Sequence, residues 1–341
     1  MVTMARIASM LGVSVQTVSA VVNDRPGISP EMRQRVRELV ETLDFQPNQQ
    51  ARSLRGVRSK TIGVIIPSIT NPYFPEFVKG IEDAARKSGH SIFLCNTDHE
   101  LAHLLDYFSL IKTNKASGLI CSIGIAGEWL AEPEIERWMR RFARDGVSIV
   151  MNGRTRSDLP INAVVVSDGD AISEAARHLI AHGHRRIGII SPPEGLVVTQ
   201  ERLSAFRRAF AELGHPISDE LIVAGDFEIG AGAAGARALM SMENRPTAII
   251  AANDLAAFGA IAELSAMGLT VPQDVSVLGF DDIAFARVYQ PALSTIAQPV
   301  YELGEMALKL AIAEPVPENG RGQVVSLEAR FVARSSTSVC K

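Results

Sequence analysis

The sequence has little cysteine and no long apolar run. Its 341 residues include only three cysteines, and none of them forms a CxxC pair or another spacing typical of a metal site. This scarcity argues against a disulfide or zinc framework and fits a reducing compartment. The N-terminus lacks the apolar run of a signal peptide, and no stretch is long enough to span a bilayer. We therefore expect a cytoplasmic protein with no membrane partner.

The signatures of several enzyme classes are also missing. The sequence contains no GxSxG, no HExxH and no Walker A motif, so it offers no support for a hydrolase, metalloprotease or P-loop site of those kinds. One GxGxxG does occur, from Gly230 to Gly235, with Asp254 about twenty residues later, as in a dinucleotide site. Residues 226–229, however, separate these glycines from the preceding strand, which they should follow directly. We expect no enzyme activity, no metal and no cofactor.

Acidic residues are absent from one window, between Asp44 and Glu76, which contains four Lys/Arg. Residues 1–60 contain nine Lys/Arg and five Asp/Glu, a net charge of +4. The remaining 281 residues contain 25 Lys/Arg and 33 Asp/Glu, a net charge of −8. A small basic head on an acidic body fits a head that meets phosphates, although a solvated linker explains the same charge equally well. The length allows two or three domains, and the 47% apolar content supports packed cores.

Three short helical patterns follow one another in the head. The first begins after Thr3 and ends at Gly12, and the second runs from Val15 to Val22 after the capping residue Ser14. The third starts at Ser29, with a proline at the first helical position. Two short helices joined through a glycine, with a third closing the core, are typical of a helix-turn-helix. An ordinary three-helix domain is the alternative.

The second helix of a helix-turn-helix enters the major groove with its N-terminal side chains leading. Here these are Val15 and Gln16, with Ala20 one turn later. Glutamine can pair with adenine, and valine can contact a thymine methyl group. Short polar side chains suited to phosphate contacts surround them. The predicted DNA contacts in the head are Thr3, Ser14, Val15, Gln16, Thr17, Ala20, Asn23 and Ser29.

Two segments resemble the head of the lactose-repressor (LacI/GalR) family, and the likeness continues through the whole chain. They are residues 12–23 (GVSVQTVSAVVN) and residues 45–54 (FQPNQQARSL). The resemblance implies a sequence-specific, DNA-binding transcriptional regulator. One departure concerns Ala20, because the family usually has a larger polar or basic base-reading residue there. The operator sequence therefore stays open.

Residues 46–58 can form only a short helix, starting at Pro47, which is marginal in water. In the resembled family this segment is a hinge helix that orders on the operator, and the leucine matching Leu54 wedges into the minor groove. Such a wedge partly unstacks a base step and bends the duplex. A plain linker whose leucine packs on the body is the alternative. The hinge contacts implied are Asn48, Arg52, Leu54 and Arg55.

The body alternates apolar runs with amphipathic stretches, which predicts parallel sheets with helices on both faces. Nine predicted strands are too many for one compact sheet, so we expect an α/β fold with two doubly wound lobes. The nine strands are 61–67, 91–95, 118–123, 148–151, 163–166, 186–190, 221–224, 247–252 and 275–279. The expected domains are a helix-turn-helix at 1–45, a hinge at 46–59 and an effector and dimerisation domain at 60–341. Within the latter we expect one lobe at about 60–162 plus 292–322 and the other at about 163–291 plus 323–341. The resemblance implies lobes of the periplasmic-binding-protein type.

Ligands of doubly wound sheets bind at the carboxyl ends of the strands. The side chains that follow the predicted strands are aromatic rings, amides, carboxylates and one arginine, which suit a polyhydroxylated ligand. The family's effector domain has its contacts at these positions. The predicted effector contacts are Asn71, Tyr73, Phe74, Asn152, Arg202, Phe227, Asn253 and Asp281.

Two departures from the family narrow the ligand. Asn152 and Gly153 stand where many sugar-binding members have Asp-Arg, which argues against a simple pentose. Leu196 and Val198 stand where the purine-binding member has polar base contacts, which argues against a purine. A sugar-like or sugar-acid effector is the remaining expectation.

The leading hypothesis is a homodimeric repressor that reads a palindromic operator under control of this effector. The C-terminal residues carry no leucine heptad that would join dimers into a tetramer. A solute-binding protein of the same body fold and a nucleotide-using enzyme are the alternatives. The basic head and the missing export signal speak against the former, and the context of the glycine motif speaks against the latter.

Overall fold

The computed structural model describes residues 2–22, 24–45, 59–122, 132–192 and 196–340. The chain divides into two compact units, Met1–Ser59 and Lys60–Lys341. The helices are α1 Met4–Leu11, α2 Val15–Val22, α3 Pro30–Thr42, α4 Tyr73–Lys87, α5 Leu101–Thr113, α6 Pro133–Arg144, α7 Gly169–Ala181, α8 Val197–Glu212, α9 Ile229–Met240, α10 Asp254–Ala266, α11 Phe285–Val288 and α12 Val300–Ala311. The strands are β1 Thr61–Ile66, β2 Ser91–Asn96, β3 Gly118–Cys121, β4 Ser148–Asn152, β5 Asn162–Ser167, β6 Ile187–Ser191, β7 Ile222–Ala224, β8 Ala248–Ala251, β9 Ser276–Asp281, β10 Ser294–Ala297, β11 Val324–Glu328 and β12 Arg330–Val332.

The described residues of the first unit up to residue 45 form three helices, as the three helical patterns predict. The Thr3 hydroxyl caps α1 by accepting from the Arg6 amide at 3.2 Å. Gly12 ends the helix with φ at 66°, a left-handed conformation that suits glycine. The axes of α1 and α2 are bent by 111°, within the range of a helix-turn-helix. One fully buried side chain from each helix forms the centre of the core: Ile7, Val18 and Val36.

No single helix among the described residues is long and apolar enough to cross a membrane. Only α1 and α2 taken together, across their bend, reach the necessary length and composition. Their apolar side chains instead form the core of the helical domain.

The second unit contains two six-stranded sheets. The first has the strand order β11-β5-β4-β3-β1-β2, and the second has the order β12-β10-β9-β8-β6-β7. All neighbours are parallel except β10 and β12. Helices cover both faces, as β1 illustrates. Val64 packs with Phe77 of α4 on one face, and Ile65 packs with Phe108 of α5 on the other. The predicted α/β architecture with two lobes is therefore confirmed.

The predicted lobe boundaries are wrong in three places. Strand β5, placed in the second lobe, pairs with β4 in the first sheet, and β11 joins it there. Strand β10, placed in the first lobe, pairs with β9 in the second sheet. The chain therefore crosses between the lobes after Ser167, after Ala297 and after Glu328, and not near Asn162. The physical reason is strand pairing between distant segments, which an apolar run does not encode.

The GxGxxG motif lies inside a helix. Strand β7 ends at Ala224, and Gly230 to Gly235 fall within α9, which begins at Ile229. The glycines therefore do not form the turn between strand and helix that a dinucleotide site requires. Gly232 instead lets α9 approach α10, since a Cβ there would lie 1.9 Å from the Ala256 carbonyl oxygen.

Candidate functional site

The N-terminal end of α2 presents the predicted base-reading side chains. Val15 is 41% exposed, Gln16 is exposed, and Ala20 is half-buried one turn later. The Ser14 hydroxyl accepts from the Thr17 amide at 3.1 Å and caps this helix. The cap fixes the start of α2, and the two exposed residues that follow it are free to meet a base edge.

The other predicted DNA contacts fall into two groups. Thr3 and Ser29 are exposed, and each caps the helix that follows it, Ser29 by accepting from the Met32 amide at 3.4 Å. Their hydroxyls therefore lie at helix N-termini, where anions bind favourably. The remaining predicted contacts lie outside the described residues, and their roles stay predictions: Asn23, Asn48, Arg52, Leu54 and Arg55.

Two arginines of α3 form ion pairs and a hydrogen bond with the turn after α2. Arg33 and Arg37 lie 3.2 and 2.8 Å from the Asp24 carboxylate. Arg33 also donates a hydrogen bond to the Arg25 carbonyl oxygen. These contacts hold the end of the recognition helix against α3, so both guanidinium groups already have partners within the head.

In the first lobe, three polar side chains form a connected group at the carboxyl ends of β1, β3 and β4. The Asn152 amide nitrogen donates to the Ser122 hydroxyl at 3.0 Å and lies 3.4 Å from the Tyr73 hydroxyl. Phe74 packs edge-on against the Tyr73 ring, with the centroids 5.1 Å apart. These residues form what we call the first wall of the candidate site, which is aromatic and uncharged.

In the second lobe, Arg202 lies on the face of the Phe280 ring, with the guanidinium carbon 3.7 Å from the ring centroid. One of its terminal nitrogens donates to the Ala252 carbonyl oxygen at 3.1 Å, and the other lies 4.0 Å from the Asp281 carboxylate. Its Nε is buried, and no hydrogen-bond acceptor for it occurs within the described part of the chain. Arg202 and Asp281 form the second wall of the candidate site, which combines a stacked cation with a carboxylate.

Asp281 is held by a residue at the second crossover between the lobes. The Gln298 amide nitrogen donates to the Asp281 carboxylate at 2.6 Å. Burial raises the pKa of Asp281 to about 6, although Arg202 and the hydrogen bond from Gln298 oppose the rise. The carboxylate therefore titrates near pH 6. A carboxyl group with such a pKa can accept hydrogen bonds when ionised and donate one when protonated.

The two walls lie close enough to interact. Burial raises the pKa of the Tyr73 phenol to about 12, and the charges of Asp281 and Arg202 also act on it. Tyr73 belongs to the first lobe, whereas Arg202 and Asp281 belong to the second. The structure thus places Tyr73, which contacts Phe74 and Asn152, within electrostatic range of Arg202 and Asp281.

Three predicted effector contacts have hydrogen bonds or packing within the protein. The Asn71 side chain is buried and accepts from the Tyr73 amide at 3.1 Å. Asn253 caps α10 by accepting from the Ala256 amide at 2.9 Å, and its nitrogen donates to the Phe227 carbonyl oxygen at 3.0 Å. The half-buried Phe227 ring packs against the core of the second lobe. These contacts position the strand ends, and an effector role for the three residues stays a prediction.

Sequence reasoning missed two members of the site. Ser122 follows β3 directly, but the predicted strand ran past it to residue 123. Gln298 follows β10, which was not among the predicted strands. The strand-end rule would have found both residues if those two strands had been placed correctly.

Comparisons with known proteins agree on one family. Residues 3–48 match the bacterial regulatory proteins of the lacI family, and residues 176–337 match a periplasmic binding protein-like domain. The regulator DegA of Bacillus subtilis is 33% identical over 332 residues, which cover 97% of each chain. A structure of the lac repressor dimer bound to operator and an anti-inducer has a TM-score of 0.84 at 26% identity, covering 99% of each chain. A complex of the regulator CelR with cellobiose has a TM-score of 0.71 at 25% identity, covering 98% of this chain and all of that one.

Proposed function

Because the chain belongs to the LacI family of DNA-binding transcriptional regulators, we propose that it is a repressor whose hold on a palindromic operator is controlled by a sugar-like or sugar-acid metabolite. It is a regulator and not an enzyme. The observation that carries the effector proposal is the proximity of the Tyr73–Asn152 pair to the Arg202–Asp281 pair, which lie in different lobes joined by the nearby Arg154–Glu201 ion pair. We expect it to act in the cytoplasm, where bacterial DNA is found.

The small size of the head supports the proposal of a homodimer. One helix-turn-helix presents few side chains to base edges, so a twofold pair is needed to read a long site. The lac repressor in the similar structure is a dimer on its operator. Sedimentation at micromolar concentration tests this proposal, and a monomer or a tetramer would contradict it.

The chemistry of the candidate site suits a small polyhydroxylated molecule. Aromatic rings at Tyr73 and Phe74 offer apolar faces for a sugar ring. The Asp281 carboxylate can accept hydrogen bonds from hydroxyl groups. Arg202 has a planar fork that can clamp a carboxylate or a pair of hydroxyls. The similar structure of CelR contains cellobiose, which supports this ligand class.

A ligand held by both walls would bias the arrangement of the lobes, since it binds one relative position better than another. Within the described residues, three short crossovers join the lobes, after Ser167, Ala297 and Glu328. Movement at these crossovers would change the spacing of the two heads in a dimer. Allosteric coupling of about 1–3 kcal/mol is typical of such systems.

The test begins with an operator selected from random duplex DNA and a metabolite screen by thermal shift. Gel shift then measures operator affinity with and without each metabolite that stabilises the protein. We expect Arg202→Lys to impair the response and Asp281→Ala to abolish it, while operator binding without the metabolite stays intact. A normal response in both Arg202→Ala and Asp281→Ala would show that the effector binds elsewhere.

A further inference from the structure

Two consecutive aspartates at the end of β9 have left-handed backbone conformations. The φ angle is 116° at Asp281 and 61° at Asp282. Residues other than glycine adopt this region rarely, and such conformations persist only where surrounding contacts hold them. The contacts that hold this turn therefore also determine where the Asp281 carboxylate lies.

One buried contact of the turn comes from the segment after β12, beside the hydrogen bond from the Ile283 amide to the Asp254 carboxylate. A terminal nitrogen of Arg334 donates to the Asp282 carboxylate at 2.6 Å, and the two side chains are only 14% and 4% exposed. The other terminal nitrogen donates to the Leu293 carbonyl oxygen at 2.7 Å. The Arg334 amide donates to the Ser294 hydroxyl at 2.8 Å. The guanidinium thus joins the turn to the start of β10.

A second arginine contacts the same carboxylate in a different environment. Arg287 lies 3.3 Å from Asp282, but its side chain is 64% exposed. Exposed ion pairs are screened by water and salt and contribute little. Removal of one partner from a buried, hydrogen-bonded pair leaves an uncompensated charge and has a large effect. Arg287 is therefore a matched control for Arg334.

We propose that Arg334 is a positioning residue, whose buried ion pair with Asp282 holds the Asp281–Asp282 turn so that the Asp281 carboxylate faces the effector. The proposal rests on the effector role of Asp281 proposed above. Arg334 itself is not among the proposed effector contacts. Its contribution to effector affinity would come entirely through the backbone of the turn.

The first experiment needs no effector. Hydrogen–deuterium exchange is measured over residues 279–284 in the wild type, Arg334→Met and Arg287→Met. We expect at least tenfold faster exchange of this segment in Arg334→Met and wild-type rates in Arg287→Met. Wild-type exchange in Arg334→Met would overturn the proposal, whatever the effector is.

The second experiment separates positioning from general stability. Arg334→Met leaves the buried Asp282 carboxylate with the exposed Arg287 as its ion-pair partner, so both the melting temperature and the effector affinity should fall. The double variant Arg334→Met/Asp282→Asn removes the buried charge that has lost its buried partner, without restoring the contact between Arg334 and the turn. Calorimetric titration with cellobiose and with D-gluconate should then give at least tenfold weaker binding, although the melting temperature recovers. Recovery of both quantities would show a merely structural role and would overturn the proposal.

Two further variants complete the design. Arg334→Lys keeps the charge and should regain part of the affinity. Asp281→Asn tests the proposed effector site itself. If Asp281→Asn binds these probes as the wild type does, the effector proposal fails, and the exchange experiment alone decides the role of Arg334. If Asp281→Asn loses binding and Arg334→Met keeps it, only the positioning role fails.

Discussion

Arg154 of the first lobe forms an ion pair with Glu201 of the second lobe. Arg154 follows β4, and Glu201 precedes the effector candidate Arg202 on α8. Gly153, with φ at 117°, allows the chain to turn directly before Arg154. The two side chains are 72% and 42% exposed, so water screens the pair. The contact joins the lobes close to the proposed effector.

We predict that this ion pair biases the lobe arrangement weakly. Arg154→Gln and Glu201→Gln should change operator affinity in the same direction, each by less than about fivefold, because exposed pairs contribute roughly 0.2–1 kcal/mol. The double variant should add nothing to either single change, and higher salt should shrink all three effects. Fluorescence anisotropy on the selected operator measures these affinities. Additive effects in the double variant would contradict the coupling.

Effector binding should depend on pH through Asp281. Its pKa is about 6 in the folded protein, so the carboxylate becomes protonated as the pH falls through 6. A protonated carboxyl loses its charge and part of its capacity to accept hydrogen bonds. We therefore expect affinity for a neutral sugar to fall by up to about tenfold per pH unit below 6, as linkage to one proton requires. Calorimetric titrations between pH 5 and 8 measure this, and Asp281→Asn should remove the dependence along with much of the affinity.

Much of this site could be predicted because local sequence determines where buried strands end. The run before Asn152 and the run before Asp281 are apolar and short, so the residues after them fall at the sheet edge. The order of strands could not be predicted in the same way. Val324–Glu328 has exposed positions alternating with half-buried ones, and only its pairing with β5 places it in the first lobe.

Long-range contacts of the C-terminal segment likewise could not be predicted from the sequence. Nothing near Arg334 in the chain indicates that its partner is Asp282, 52 residues away. The two positive φ angles at Asp281 and Asp282 also have no local signature, since glycine is absent from the turn. Such features depend on tertiary contacts that override local preference.

The second lobe contains histidines that should make its stability sensitive to acid. The His178 ring lies 4.1 Å from the His182 ring and forms a hydrogen bond with Thr337 at 2.9 Å. Burial is the main cause that lowers the pKa of His178 to about 4, and the neighbouring His182 and His184 lower it further. The folded state therefore binds this proton less readily than the unfolded chain, in which the pKa is about 6.5.

We predict that the contribution of His178 to stability is full above pH 6.5 and is lost as the pH falls from 6.5 toward 4, because the unfolded chain takes up a proton that the folded state resists. Asp281, whose pKa is raised, acts in the opposite direction in this range, so the comparison of wild type with His178→Gln isolates the histidine. Urea unfolding at pH 7.5, 6 and 5 measures the loss. His178→Gln retains a polar side chain without the titration and should reduce the loss. His90→Gln changes a histidine of the first lobe as a control and should leave the loss as it is in the wild type. Equal pH dependence in wild type and His178→Gln would contradict the assignment.

The glycines of the GxGxxG motif should differ in their tolerance of alanine. A Cβ at Gly232 would lie 1.9 Å from the Ala256 carbonyl oxygen, whereas a Cβ at Gly230 would have no atom within 4 Å. We expect Gly232→Ala to lower the free energy of unfolding by about 1–3 kcal/mol through overpacking of α9 against α10. Gly230→Ala should be neutral or stabilise by up to about 1 kcal/mol, because alanine favours the helix. Similar losses in both variants, measured by urea unfolding, would show that packing against α10 is not the cause.

Gln16 should contribute to sequence discrimination and not to general DNA affinity. It is exposed at the N-terminal end of α2, directly after the capped turn at Ser14. A glutamine amide can form two hydrogen bonds with adenine, and such a pair contributes about 1–3 kcal/mol of discrimination. Gln16→Ala should therefore weaken binding to the selected operator about 5- to 150-fold, with little change on unrelated duplex DNA. Gln34→Ala is the matched control, because Gln34 is an exposed glutamine of α3 that bonds to Glu38 at 3.0 Å. Gel shifts with both DNAs at one salt concentration decide the question. An unchanged ratio of specific to nonspecific affinity in Gln16→Ala would remove Gln16 from the base-reading set.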